Sequence, residues 1–281
     1  MKTPKRIQPL VDEGLIDEVM RQLMSGKEAT VYVVRCGEEI RCAKVYKEAN
    51  QRSFRQAVSY QEGRKVKNSR QARAMEKGTA YGRKMQEEVW QNAEVDALYR
   101  LAAAGVRVPK PYICFEGVLL MDLITDAAGN SAPRLAEVAL TEKLALEYHA
   151  VLIHQVVLML CAGLIHGDLS EYNILVDEFG PVIIDLPQAI DAASSSGAEV
   201  MLERDVENLA NFFGTFAPKL LHSQYGKEIW KLYQAGALTP DTPLSGRVAQ
   251  DRRPADVGAV LREMRLARDE EAERRRFQHE E

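Results

Sequence analysis

Four cysteines are too few and too scattered to organise this chain. Cys36, Cys42, Cys114 and Cys161 form neither a CxxC pair nor a Cys/His ligand spacing, which excludes a zinc ribbon or a disulfide framework and leaves buried, reduced thiols as the expectation. Long apolar runs are missing too. The stretch Ala150 to Ile165 is interrupted by His154 and Gln155 and falls short of a membrane span. Behind the basic opening Met1-Lys2-Thr3-Pro4-Lys5-Arg6 there is no apolar stretch or cleavage site, so a cytoplasmic location is expected. A large excess of one charge is also lacking: the formal charge of −4 argues against a generally basic nucleic-acid binder. No internal repeat is found.

What is present is enough apolar material for a core, 46% hydrophobic against 28% charged residues over 281 positions. That length suits one two-lobed enzyme with a ligand between its lobes. Charge is unevenly placed. From Lys47 through Glu88 there are eleven Lys/Arg against five Asp/Glu, a surplus that would suit an acidic partner such as RNA, although a solvated loop explains it as simply.

Apolar positions at Leu15, Ile16, Val19 and Leu23 fit an amphipathic helix over Leu10 to Leu23, closed near Ser25-Gly26. Ala29 to Arg35 and Ile40 to Tyr46 are rich in strand formers and flank a Gly37-Glu38-Glu39 turn, so the first sheet starts antiparallel. Lys47 to Gly82 shows no clean period and reads as a mobile loop or loose helix. The pattern Val89, Ala93, Leu98, Leu101 predicts a helix from Arg83 to Ala104, stopped by Gly105. Tyr112 to Phe115 and Val118 to Leu123 follow as short strands, and the loop from Asp126 to Pro133 marks a lobe boundary. Beyond it the character is helical. Thr141 caps a helix with a stripe of Leu144, Tyr148, Val151, Leu152 and Met159. Ile174 to Val176 and Val182 to Ile184 form a hairpin, and Val200 to Phe216 and Gly226 to Ala235 supply further helices. The expected organisation is an N-terminal helical extension (1–24), an N-lobe (25–124) holding a basic flexible segment (47–82), a C-lobe (125–246) and a charged tail (247–281). In that tail nine Arg alternate with nine Asp/Glu, the composition of a solvated segment.

The chemistry concentrates in His166-Gly167-Asp168-Leu169-Ser170-Glu171-Tyr172-Asn173, a loop pinned between a helix and a strand. Asp168 can accept a hydroxyl proton, and Asn173 offers a carbonyl oxygen to magnesium. Twelve residues on, Ile183-Ile184-Asp185 ends the hairpin with a carboxylate where kinases place a second metal ligand. A loop cap or turn residue would explain any one of these alone; the joint spacing favours catalysis. His166 reads as a brace for the loop. In the first lobe, Ser25-Gly26-Lys27-Glu28-Ala29 has one glycine where phosphate loops have three, but its amides and Ser25 can cradle phosphates. Lys44, flanked by Ala43 and Val45, lies where a kinase presents the Lys that contacts the α and β phosphates. Glu94 is the chosen carboxylate partner for it, with Glu87 and Glu88 as alternatives. Met121 to Ile124 is the expected hinge whose backbone holds adenine.

These residues resemble the RIO-type atypical serine/threonine protein kinases. The resemblance rests on Ser25-Gly26-Lys27-Glu28-Ala29 with Val31-Tyr32, the loop from His166 to Asn173, and Ile183-Ile184-Asp185-Leu186-Pro187-Gln188, and runs from about Leu15 to Phe216 through Arg204-Asp205-Val206. It implies an α+β, two-lobed protein-kinase-like fold: a small antiparallel-sheet N-lobe and a mainly α-helical C-lobe. It implies ATP and Mg2+ as cofactors, autophosphorylation on serine, an unidentified protein substrate, and kinase or slow ATPase activity in which Asp185 is transiently phosphorylated. Departures from ordinary kinases are equally visible. Leu186-Pro187 replaces Phe-Gly, no Ala-Pro-Glu follows, and Ser170 stands where a Lys would neutralise the transferred phosphate. No full activation segment, and slow turnover on generic peptides, are therefore expected. The rival readings are a small-molecule kinase of the aminoglycoside or choline type, which shares His-Gly-Asp-Leu, and a nucleotide-gated scaffold that binds RNA or a ribosomal particle through residues 47–82.

Overall fold

The computed structural model describes residues 2–26, 29–47 and 93–248. All of them but Val248 belong to one compact unit that ends at Arg247. Lys27, Glu28, the basic segment beyond Lys47, Glu87, Glu88 and the tail past Val248, for which the sequence sets expectations, lie outside the described residues.

The first lobe is a five-stranded antiparallel sheet in the order β1-β2-β3-β5-β4, made of β1 (Glu18–Ser25), β2 (Ala29–Cys36), β3 (Glu39–Tyr46), β4 (Pro111–Phe115) and β5 (Val118–Asp122). The hairpin expected on either side of Gly37 is present, with Cys36 opposite Glu39 and Ala29 opposite Tyr46. Side chains alternate across the pleat. Ala43 and Val45 of β3 and Val118 and Leu120 of β5 join Ile7, Leu10, Ile16 and Val19 in a small core on one face. On the other face, Tyr46 and Leu119 pack into the main core with Val95, Leu98 and Leu101 of helix α2, described over 93–103. Lys44 lies between Ala43 and Val45, so the pleat turns it towards α2.

One element differs from expectation. The helix predicted over Leu10 to Leu23 is a five-residue helix, α1 (Gln8–Asp12), followed by strand β1. The positive φ of Gly14, 70°, turns the chain out of the helix. Pairing with β2 then satisfies the backbone, and two register shifts, after Val19 and after Gln22, break the strand's alternation. Those shifts are why the apolar spacing imitated a helix. The N-lobe sheet therefore includes residues assigned to the extension, which is helical only in α1.

The second lobe is built around α3 (Glu142–Cys161), capped as expected by Thr141, whose Oγ1 accepts from Leu144 N at 3.2 Å. Its buried side is Ala145, His149, Leu152, Ile153, Val156, Val157, Met159 and Leu160. Val151, assigned to the buried stripe, faces outward at 38% exposure. By length and composition α3 could cross a membrane, contrary to the reading of Ala150 to Ile165, but half of its most apolar stretch is buried within this lobe. Around it lie α4 (Ala198–Gly214), α5 (Tyr225–Gln234), the two-stranded antiparallel pair β6 and β9 (Leu164–Ile165 with Ile190–Asp191) and the hairpin β7–β8 (Ile174–Asp177 with Gly180–Ile183). Of the thiols, Cys42 is buried, Cys36 half-buried, and Cys114 and Cys161 are exposed. The expectation of four buried cysteines therefore holds for one of them, because Cys114 lies on edge strand β4 and Cys161 at the outer end of α3.

Candidate active site

The loop between β6 and β7 is fastened from behind by α4. Asp205, 1% exposed, accepts from Gly167 N at 2.7 Å and Leu169 N at 3.0 Å. Asn208 Nδ2 donates to Leu169 O at 3.0 Å, and the Arg204 guanidinium donates to Gly167 O. Burial pushes the Asp205 carboxyl up, against the pull of His166, the two amides and Arg204. Gly167 meets two constraints at once. Its φ is +79°, and a Cβ there would lie 2.7 Å from Gln188 O, so only glycine fits without moving the backbone.

His166 is the brace that its position suggested. Its Nδ1 accepts from Asp168 N at 3.3 Å, which assigns the proton to Nε2, 3.1 Å from Ile184 O. The Asp168 side chain is exposed and is held by Gln188 Nε2 at 3.2 Å and Asn173 Nδ2 at 3.5 Å. Asn173 Nδ2 also donates to Asp168 O at 2.8 Å, and Asn173 O accepts from Ile184 N at 3.0 Å. The loop and the end of β8 thus form one hydrogen-bonded unit. Asp185 follows with φ +67°, a left-handed backbone that costs a non-glycine residue on the order of 1 kcal/mol and commonly marks a functional position.

Opposite, Lys44 reaches both lobes. Its Nζ lies 2.5 Å from Glu94 Oε1 and 3.0 Å from Asp185 Oδ1. Glu94, 4% exposed, also accepts from Tyr46 OH at 2.7 Å. Glu94 is thus paired with Lys44. Burial would lower the lysine's pKa, but Glu94 and Asp185 outweigh it, so Lys44 stays charged. At Asp185 burial would raise the pKa, yet Lys44, then His166 and Arg134, hold the carboxyl below its ordinary value.

The hairpin turn at Ser25, Gly26 and Ala29 lies at the end of β1, with Gly26 N donating to Ala29 O at 2.9 Å. Lys47 Nζ caps it, 2.6 Å from Gly26 O and 3.1 Å from Ser25 Oγ. Met121 is in β5, opposite Cys42. Just past that strand, Ile124 O accepts from Ala132 N at 2.9 Å, so that carbonyl is already engaged by the loop that closes the lobe boundary. Gln188, Asp205, Asn208, Arg134 and Lys47 were given no role by the sequence reading. Gln188 and Asp205 stood within recognisable motifs, and that was the available signal; Lys47 and Arg134 gave none.

A lysine–glutamate pair beneath a hairpin turn, facing a loop Asp, an Asn and a second Asp, is an arrangement for phosphoryl transfer from a nucleotide. Residues 30–225 match the RIO domain family. The chain belongs to the RIO family. It is 36% identical over 213 residues to the RIO-type serine/threonine-protein kinase Rio1 of Haloferax volcanii, covering 74% of this chain and 67% of that protein. It is 30% identical over 210 residues to the serine/threonine-protein kinase rio1 of Schizosaccharomyces pombe, covering 73% and 40%. With the human serine/threonine-protein kinase RIO1 the identity is 32% over 206 residues, covering 73% and 34%. The match thus spans about two thirds of the first relative and well under half of the other two. The RIO match takes in β2 to α4, and so every loop described above except the Ser25–Ala29 turn.

Proposed function

We propose that this RIO-family chain is an ATP-dependent serine/threonine protein kinase, with its reaction between Lys44, Asp168, Asn173 and Asp185. The observation that carries the reading is Lys44 Nζ lying between Glu94 and Asp185, 2.5 and 3.0 Å away. That contact joins the sheet, α2 and the end of β8 in one charged centre. Lys44 neutralises nucleotide phosphates, Glu94 and Tyr46 hold its ammonium in place, and Ser25, Gly26, Lys27, Glu28 and Ala29 cover the phosphates. Met121 to Ile124 lie along adenine. Asp168 orients the acceptor hydroxyl and takes its proton as the hydroxyl oxygen bonds to the γ-phosphorus and the bond to the β-phosphate oxygen breaks.

The donors present suit Mg2+. Among the described residues no group of three or more His, Cys, Asp or Glu is placed to hold a metal, so a caged transition-metal site is not offered. Asp185 and the side-chain oxygen of Asn173 are two hard ligands of the kind Mg2+ uses when phosphates and water complete its shell. When bound, the ion would offset charge between the β- and γ-phosphates. With water in place of the hydroxyl the same residues would hydrolyse ATP, and this is the second reading. A protein substrate, a cytoplasmic location and an RNA contact through 47–82 extend the proposal. RNA affinity through that segment should fall steeply with added salt.

The test is incubation with γ-labelled ATP and Mg2+, comparing wild type with Asp168→Asn and Lys44→Ala. Label on wild-type protein that is lost in both variants supports a kinase. Free phosphate without protein label selects the ATPase reading, and neither product from a folded wild type refutes both.

A further inference from the structure

Ser170 brings no positive charge to the catalytic loop, yet a cation lies beside that loop. Arg134 stands where the lobe boundary meets the second lobe, and its backbone is fixed on every side. Ala132 N donates to Ile124 O at 2.9 Å, Val176 N to Pro133 O at 2.9 Å, and Arg134 N to Glu137 Oε2 at 3.1 Å. Arg134 bridges Leu175 of β7, and its neighbours Ala132 and Leu135 are buried. From this anchor the guanidinium crosses to both walls of the cleft. Nη1 donates to Tyr172 O at 2.7 Å, one residue before Asn173. Nη2 lies 3.2 Å from Met24 Sδ, one residue before Ser25. It therefore sits between the turn that covers the phosphates and the loop that carries Asn173.

Two features mark it as a site for an anion rather than a tie between lobes. A thioether is a weak acceptor, so the contact with Met24 is easily exchanged for a better one. Among the described residues no carboxylate forms an ion pair with Arg134; its charge acts on Asp185 only from beyond ion-pair distance, lowering that carboxyl's pKa, so it can still pair directly with an anion. Planar guanidinium donors match phosphate oxygens two at a time. The neighbouring link, Arg21 Nη2 to Ser131 Oγ at 2.8 Å, ties the same strand to the same loop and is the natural control.

We propose that Arg134 binds the polyphosphate of the nucleotide, leaving Met24 to do so and supplying the positive charge that Ser170 does not. The proposal rests on the nucleotide-binding reading above. It is tested by calorimetric titration of the full chain with MgATP, MgADP and adenosine, for wild type, Arg134→Gln, Arg134→Lys and Arg21→Gln. Losing a charged hydrogen bond should weaken MgATP and MgADP by roughly tenfold or more in Arg134→Gln. Adenosine should change little, Arg134→Lys should recover part of the loss, and Arg21→Gln should match wild type. An equal loss for adenosine would assign Arg134 to the ribose or to lobe alignment and overturn the proposal, as would unchanged binding of all three. If Arg134→Gln does not fold, the comparison rests on Arg134→Lys, whose point charge should still weaken MgATP selectively; affinity equal to wild type would overturn the proposal. Wild type that binds no nucleotide would remove the kinase reading and this inference together, whereas wild-type binding with indifferent Arg134 variants removes only the latter.

Discussion

Replacing Asp205 by Ala tests whether the catalytic loop is held from α4. The substitution orphans two buried amides, Gly167 N and Leu169 N, which the carboxylate accepts at 2.7 and 3.0 Å. An unsatisfied buried donor costs about 1–3 kcal/mol. Burial pushes the Asp205 carboxyl up, so part of this is offset when the desolvated charge is removed, and a net loss of about 3 kcal/mol is expected. For a folded unit of this size that corresponds to a fall in Tm of roughly 6–12 °C. Asp205→Asn should lie between, since it keeps one acceptor, Oδ1, but turns its Nδ2 donor towards the other backbone N–H. Differential scanning calorimetry gives the stability. ATP turnover measured well below the lower Tm gives the loop effect, expected as a loss of at least tenfold because Asp168 lies between the two amides. An Ala variant that melts within 2 °C of wild type and retains its turnover would refute the argument.

Glu94→Gln removes a buried partner of Lys44 but leaves Asp185. A destabilisation of about 3 kcal/mol, at the low end for a broken buried pair, should appear in urea unfolding together with a sharp fall in phosphotransfer. Gly167→Ala forces a Cβ to 2.7 Å from Gln188 O at a φ of +79°; a loss of roughly 2 kcal/mol and a larger loss of turnover are expected, because Gln188 also holds Asp168. His149 is buried, its Nε2 has no hydrogen-bond partner among the described residues, and burial pulls its pKa down to about 4. The unfolded chain binds this proton first, so the stability is complete above about pH 6.5 and is lost as pH falls towards 4, by about 3 kcal/mol in all. His149→Phe should flatten the melting temperature across that range, and an unchanged pH slope would show that other groups set the acid limb.

How much of this was legible beforehand depended on whether a residue's neighbours were near it in the chain. The spacing of Asp168, Asn173 and Asp185 is local, since a tight loop and a hairpin of two four-residue strands bring them together with few alternatives. Lys44 could be placed because strand alternation is covalent, and Glu94 because a helix was readable around it. Strand β1 was misread because its two bulges disturb the period of 2, and only pairing with β2 decides that those residues extend. The exposed face of α3 at Val151 was likewise set by which helices pack around it.

The sequence by itself determined the order of the hairpins and the short motifs that hold the acidic and amide groups, because turn chemistry and side-chain periodicity act over a few residues; the two-lobed kinase-like fold followed from the family resemblance that those motifs carry. Only the tertiary structure decided which distant groups meet: Asp205 behind Gly167, Gln188 on Asp168, Lys47 on Gly26 and Arg134 between Met24 and Tyr172. The physical reason is that a hydrogen bond across 20 to 110 residues leaves no period in the chain, and its donors and acceptors are selected only when the core has fixed the backbone around them.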